Sequence, residues 1–372
     1  MIKRVASLAL LAGAVAMSYA ASAAPSWNGP GKARPMFGVI KNTGPLKYEP
    51  GKAPPPAATL TQWSGGFTDR KGHSVTFRMA GLDPASSNTD THIKVVIIPV
   101  IMVYGATNGN QTFDPTAKHT AGDKKLSVIK ALAQSPILDP GADFTSGAID
   151  CGTAQYVDSY QRCNFWGSVS TNVGYHTVLD PTTIKKVKPM TINVTPAQGS
   201  VIGNPFGDGN VGTMSINSFD AAIHSYLTSH SAQITPDIFP LFISYDIYLT
   251  SGGCCIGGYH SAGGAQTYGY STYVDSVGAF SEDISAISHE IAEWMDDPFT
   301  NNHVFCNDNS ILEVGDPLET LPNYGTFTVA LNGHTWHPQE MAMMPYFGAP
   351  TSTSANGWTS MHNSITNVCP GQ

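Results

Sequence analysis

Glycine occurs 37 times and proline 26 times in this chain of 372 residues. Roughly one residue in six therefore turns or interrupts regular structure, since glycine admits backbone angles closed to other residues and proline fixes φ and removes a donor. Such a chain cannot build long helical bundles or coiled coils; it suits many short strands joined by loops. A hydrophobic fraction of 41% supports a sizeable core, and only 12% of residues are charged, against roughly 25% in an average soluble domain. Global disorder is excluded on that composition. With 19 basic against 27 acidic residues and a formal charge of -8, the chain also lacks the basic surface that a nucleic-acid partner requires.

Residues 1–23 read as a signal peptide. Lys3 and Arg4 form a basic start, Val5 to Met17 is apolar but too short to span a bilayer, and Ala21-Ser22-Ala23 supplies the small-x-small cleavage pattern. Residues 24–60 are proline-rich, an extended arm or propeptide-like segment. Residues 61–372 show neither an internal repeat nor a clean linker and read as a single domain. The apolar run VVIIPVIMVY, Val95 to Tyr104, contains Pro99 and is expected to be a buried strand. The expected product is a monomer exported to the periplasm or medium without a membrane anchor.

Strands are further expected at Gly66 to Ala80 (as a pair), Lys188 to Val194, Phe239 to Leu249 and Gln266 to Asp275. Helices are expected at Lys124 to Leu132, Ala154 to Phe165 and Ser218 to Thr228, the last with Ala221, Ala222 and Leu227 inward. Helices separated by antiparallel-looking strands give an α+β class. The six cysteines suit an oxidising compartment and structural disulfides. Cys151 pairs most economically with Cys163 and Cys306 with Cys369. The adjacent Cys254 and Cys255 form either a vicinal bridge or two separate ones.

The strongest local signal is Ser281 to Asp297, SEDISAISHEIAEWMDD. Ser281 is a suitable N-cap, Glu282 and Asp283 complement the helix dipole, and Pro298 stops continuation. Ile284, Ile287, Ile291 and Trp294 or Met295 recur at helical spacing and should face the core. His289 and Glu293, four apart, share another face where both can converge on one ion. This is the geometry of the His-Glu-x-x-His helix, in which ligands at i and i+4 hold zinc and the intervening glutamate, here Glu290, takes a proton from water. The chain has seven glutamates, five of them between Glu282 and Glu319, so the clustering is not a product of acidic composition. Downstream, ILEVGDPLE offers Glu313 and Asp316 as a third ligand, with Gly315 permitting a turn between them. The plain alternative is a surface i, i+4 pair on an acidic helix.

HEIAEWMDDP resembles the zincin class of zinc metallopeptidases. Together with GGCCIGGYH and the following E-x-GD it is similar to bacterial secreted proteins of the phosphate-induced, EXORDIUM-like group, over about Gly252 to Glu319. The resemblance implies a zincin-like fold with a mixed or mostly antiparallel sheet and an active-site helix. It also implies His289 and Glu293 as ligands, Glu290 as general base, and Asp316 or Glu313 as the third ligand. Glu293 stands where peptidases usually have histidine. One imidazole with two carboxylates is a harder site, so manganese or calcium joins Zn2+ among the candidate ions.

Other residues carry weaker signals. His260, in the expected glycine-rich loop GYHSAGG, is a further candidate ligand or hydrogen-bond donor, its ordinary role being a structural one. His334 and His337 belong to an expected hairpin, Asp296 and Asp297 continue the acidic face with Asp297 as a turn cap before Pro298, and the aromatic stretches NFWG and YGYSTY belong to core or sheet surface. No nucleophile elbow, P-loop or dinucleotide fingerprint is present. The expected function is a secreted metal-dependent hydrolase, a zinc metallopeptidase acting on a protein or peptide substrate. The alternatives are a non-catalytic secreted or cell-surface binding protein with a structural ion, and a carboxylate-pair glycosidase using Glu290 with Glu313 or Asp316.

Overall fold

The computed structural model describes residues 36–42, 44–47, 58–68, 72–119, 126–147, 149–185, 187–303, 311–318, 321–340, 342–344, 347–348 and 359–362. The expected signal peptide and the Cys306–Cys369 pairing lie outside the described residues. In chain order come β1 (Met36–Ile40), the hairpin β2 (Gln62–Thr68) and β3 (Ser74–Ala80), the long β4 (Asp90–Tyr104) and β5 (Thr112–Phe113). Then follow α1 (Val128–Leu132), the hairpin β6 (Ala142–Ser146) and β7 (Ile149–Ala154), α2 (Tyr156–Asn164), α3 (Trp166–Val169), β8 (His176–Pro181) and β9 (Met190–Val194). The next stretch holds β10 (Val201–Gly203), β11 (Asn210–Ser215), α4 (Ile216–Ser229), β12 (Ile238–Tyr245), β13 (Ile247–Thr250), β14 (Cys254–Gly263), β15 (Gln266–Tyr273) and α5 (Ser285–Asp296). The pairs β16 (Val329–Leu331) with β17 (His334–Trp336) and β18 (Ala342–Met343) with β19 (Thr359–Ser360) complete the set.

Eleven of these strands form one sheet, ordered β10-β11-β13-β14-β15-β12-β4-β5, with β1 beside β14 and both β8 and β9 beside β4. Parallel pairings, such as β12 with β4 and with β15, outnumber antiparallel ones, such as β14 with β15. The sheet is buried on both faces. Along β4, Val95 joins the core that contains Leu241 and Ile243, while Val96, Ile98 and Val100 join the opposite core with Phe242. Helices α2 and α5 cover the first face through Tyr156, Tyr160, Ile287 and Ile291, and α4 covers the second through Phe219, Ile223 and Leu227. Burial on both faces is why β4 and β12 read as continuous apolar runs rather than alternating ones.

The zincin-like expectation is overturned. A zincin sets a helix-rich lobe beside its sheet. Here the described residues hold five α-helices, two of them only five and four residues long, packed against an eleven-stranded mixed sheet. A short helical motif reports local spacing and leaves sheet order open, so it could not fix the architecture.

Several local expectations also shift. The helix starts at Ser285, not Ser281, because Ser281 (φ 65°) and Asp283 (φ 40°) are left-handed and cannot continue a right-handed helix. The run Phe239 to Leu249 is broken into β12 and β13 at Asp246 (φ 50°), and Ala221 faces solvent while Phe219 and Ile223 point inward. Met36–Ile40, within the proline-rich arm, joins the sheet by pairing in parallel with β14. Disulfides link Cys151 to Cys163 and Cys254 to Cys255, a pattern compatible with an extracellular location. Among the described residues no helix is long and apolar enough to cross a membrane.

Candidate metal centre

Helix α5 lies on the sheet over β14 and β15 with all twelve of its residues buried. That removes the surface-pair alternative: His289 and Glu293 are 0% exposed and Glu290 is 1% exposed. Burial this complete needs close helix-to-sheet approach, and Gly258 on β14 provides it. A Cβ there would sit 2.6 Å from Glu290 Cγ and 2.9 Å from the Tyr270 carbonyl oxygen.

The segment GYHSAGG, expected as a loop, is the body of strand β14. Side chains alternate along it. His260 therefore faces α5 and is buried there, whereas Tyr259 points to the other face and donates to Asp220 at 3.0 Å. His260 Nδ1 stands 3.5 Å from Glu290 Oε2 and 3.7 Å from Glu293 Oε2. On the other side of Glu293, His289 Nε2 lies 3.1 Å from Glu293 Oε1 and 3.6 Å from Asp316 Oδ1. Two groups that could hold a metal ion result, His260 with Glu290 and Glu293, and His289 with Glu293 and Asp316, sharing the Glu293 carboxylate.

These separations test the fit of an ion. Tetrahedral ligands at about 2.0–2.1 Å from zinc are about 3.3–3.4 Å from one another. The observed 3.1–3.7 Å brackets that spacing and is too long, in three of four cases, for ordinary hydrogen bonds. Buried atoms at the same place have no hydrogen-bond partner: both ring nitrogens of His260, Nε2 of His289 and Oε2 of Glu293. Buried polar groups are normally satisfied, so a convergent set of orphans is what a cation site looks like before the cation.

Glu313 and Asp316 take different places. Asp316 opens the short helical turn Asp316–Leu318 and meets His289, whereas Glu313 is buried against Glu293 and hydrogen bonds to it. Burial and the Glu293 charge push the Glu313 carboxyl well above the usual carboxylate range, so it is a neutral donor behind Glu293 and no member of either ligand group. Burial opposes ionisation of Glu293, but the His289 imidazolium and the Glu313 donor outweigh it and hold Glu293 below its ordinary value. For His289, burial is likewise outweighed by Glu293 and Asp316, and the ring is raised. His260, further from its carboxylates, is pushed down by burial to about 4 and is a neutral imidazole with a lone pair to offer.

Two contacts escape sequence reasoning. Gln339 Oε1 accepts from His289 Nδ1 at 2.7 Å, which turns Nε2 towards Glu293 and Asp316, and the Gln339 N–H is itself held by Ser288 Oγ at 2.8 Å. Gly315 keeps this corner open, since a Cβ there would lie 2.5 Å from His289 Nδ1. The second contact is Phe37 of β1, stacked on the His289 ring at 3.8 Å between centroids and 26°. Neither residue has a local signal, for each comes from a distant part of the chain.

The weaker candidates are occupied elsewhere. Asp296 accepts from Gln161 Nε2 at 2.7 Å and Asn164 Nδ2 at 2.9 Å, and Asp297 Oδ1 caps the following turn through the N–H groups of Asn301 and Asn302. His337 pairs with Asp283 at 2.8 Å next to Glu282, and His334 is buried in the hairpin of β16 and β17. Phe165, Tyr268 and Tyr270 are core residues. Compared with models of known families, with curated proteins and with solved structures, the chain matches none, so the functional reading rests on this site.

Proposed function

We propose that the chain is an exported metal-dependent hydrolase of peptide bonds, its ion held by His289, Glu293 and Asp316, with His260 and Glu290 on the other side of the shared Glu293 carboxylate. The observation that carries this is the convergence of buried, unpartnered nitrogen and oxygen atoms at ligand-to-ligand spacing around Glu293. A bound zinc ion supplies Lewis-acid polarisation of the substrate carbonyl and brings the pKa of water to about 7. Glu290, one residue after His289 and beside His260, would be the general base for such a water and the acid for the leaving amine. Gln339 fixes the His289 ring, and the neutral Glu313 carboxyl holds Glu293.

Elemental analysis of protein purified without chelator should give a stoichiometric divalent ion. Glu290→Gln should keep ion and fold but lose cleavage of a peptide library, and His289→Ala should lose both. A second reading, a binding protein with a structural ion, draws on the burial of His260, His289, Glu290 and Glu293. It predicts full metal content and no cleavage under any condition, including those that displace β1.

A further inference from the structure

A hydrolase with its reactive groups sealed must have an element that opens, and β1 is placed to be it. Among the described residues the strand pairs only with β14, along the edge that carries His260: Gly38 lies opposite Tyr259, Val39 opposite His260 and Ile40 opposite Ser261. Side-chain alternation turns Phe37 and Val39 to the face of α5. There the buried Phe37 ring stacks on His289 and leans on Phe280 at 4.8 Å. Ser261 Oγ donates to the Ile40 carbonyl at 2.7 Å, and Asn42 is held by Thr300 and Gly264. Of the other elements around the centre, α5, β14 and β15 are interior to the fold and cannot leave without dissolving the core.

We propose that the β14 edge is a binding groove for an extended peptide with an aromatic side chain, and that β1 fills this groove in cis, with Phe37 over His289, keeping the centre closed until the arm is displaced. This rests on the hydrolase reading for its purpose, and it names the substrate class: unfolded polypeptide bound by strand addition. An edge strand offers main-chain donors and acceptors to any extended peptide, and side-chain pockets select among them. The present occupant is itself such a peptide.

The test uses the full chain in the Glu290→Gln background, so that binding is read without turnover. A site-specific protease sequence is inserted after Lys47, the folded protein is cut, and a fluorescent synthetic peptide of residues 34–47 is titrated by anisotropy. The cut chain should exchange its own arm for the probe saturably and the uncut chain should not. A probe carrying Phe37→Ala should bind on the order of tenfold more weakly, as expected for loss of a central aromatic anchor. Equal binding by cut and uncut chains, or by the two probes, overturns the proposal. As a second measurement, amide exchange at residues 256–261 should quicken in the uncut Phe37→Ala chain otherwise native in sequence; unchanged exchange overturns the proposal as well. Saturable probe binding without hydrolysis by the cut, metal-loaded native chain would uphold the groove while removing the hydrolase reading.

Discussion

Removing the ion should cost this protein a large part of its stability. Three buried atoms that face the shared carboxylate region, His260 Nδ1, His289 Nε2 and Glu293 Oε2, have no hydrogen-bond partner. Leaving one such atom unsatisfied costs about 1–3 kcal/mol, so a cation that satisfies all three is worth about 3–9 kcal/mol. That compares with a whole-domain stability of about 5–15 kcal/mol. An ion that binds only the folded state stabilises by RT ln(1 + [L]/Kd), about 4.1 kcal/mol at a thousandfold excess over Kd, which lies within the structural figure. The assay is urea unfolding at buffered free zinc. Once the site saturates, the unfolding free energy should rise by about 1.4 kcal/mol for each tenfold increase in free ion. His289→Ala should flatten that slope, and His260→Ala should reduce the affinity while leaving a slope at higher zinc. An unfolding midpoint indifferent to free zinc, manganese and calcium across roughly three decades would refute the reasoning, because an ion bound to the native state alone must shift the equilibrium by mass action.

Three further outcomes follow from particular contacts. Gly258→Ala should destabilise by about 1–3 kcal/mol, the usual cost of overpacking, because the new Cβ meets both Glu290 Cγ and the paired backbone of Tyr270; calorimetry checks it, and an unchanged melting temperature counts against the close packing of α5 on β14. Gln339→Leu should weaken metal affinity by about 10–100-fold without unfolding the chain, since it frees the His289 ring to reorient; competition with a zinc-responsive dye measures it. Away from the site, His176 Nδ1 bonds the buried Asp158 at 2.6 Å, and this bond chiefly raises the imidazole pKa above its ordinary 6.5. A raised folded value means that the stabilisation is fully present below pH 6.5 and is lost as pH rises through the folded value. NMR titration of His176 should show the elevated midpoint, and Asp158→Asn should bring it back down.

Features legible in the sequence and features set by the fold separate by distance along the chain. Turn-rich composition, the β2 and β3 hairpin, the apolar β4, helix α2, the Cys151–Cys163 bridge and the helix around His289 could all be anticipated, because turns, periodicity and short loops are local properties. Even for α5 the N-cap lies three residues beyond the expected one, at Ile284 and not Ser281. A serine followed by two acids looks like an N-cap, but tertiary contacts, including the Asp283 ion pair with His337, hold that stretch in a turn.

Sequence alone determined that His289 and Glu293 would share one helical face with Glu290 beside them, and that an acidic glycine-containing segment would follow, since a period of 3.6 residues needs no partner to be read. Only the folded chain decided that this helix would be buried entirely, that Asp316 would meet His289 while Glu313 retired behind Glu293, and that His260 would arrive on a strand. The same holds for Gln339, fifty positions from the ring it orients, and for Phe37 lying over that ring. The physical reason is that strand order and register come from burying two apolar faces at once, a property of the whole sheet that no short window of residues contains.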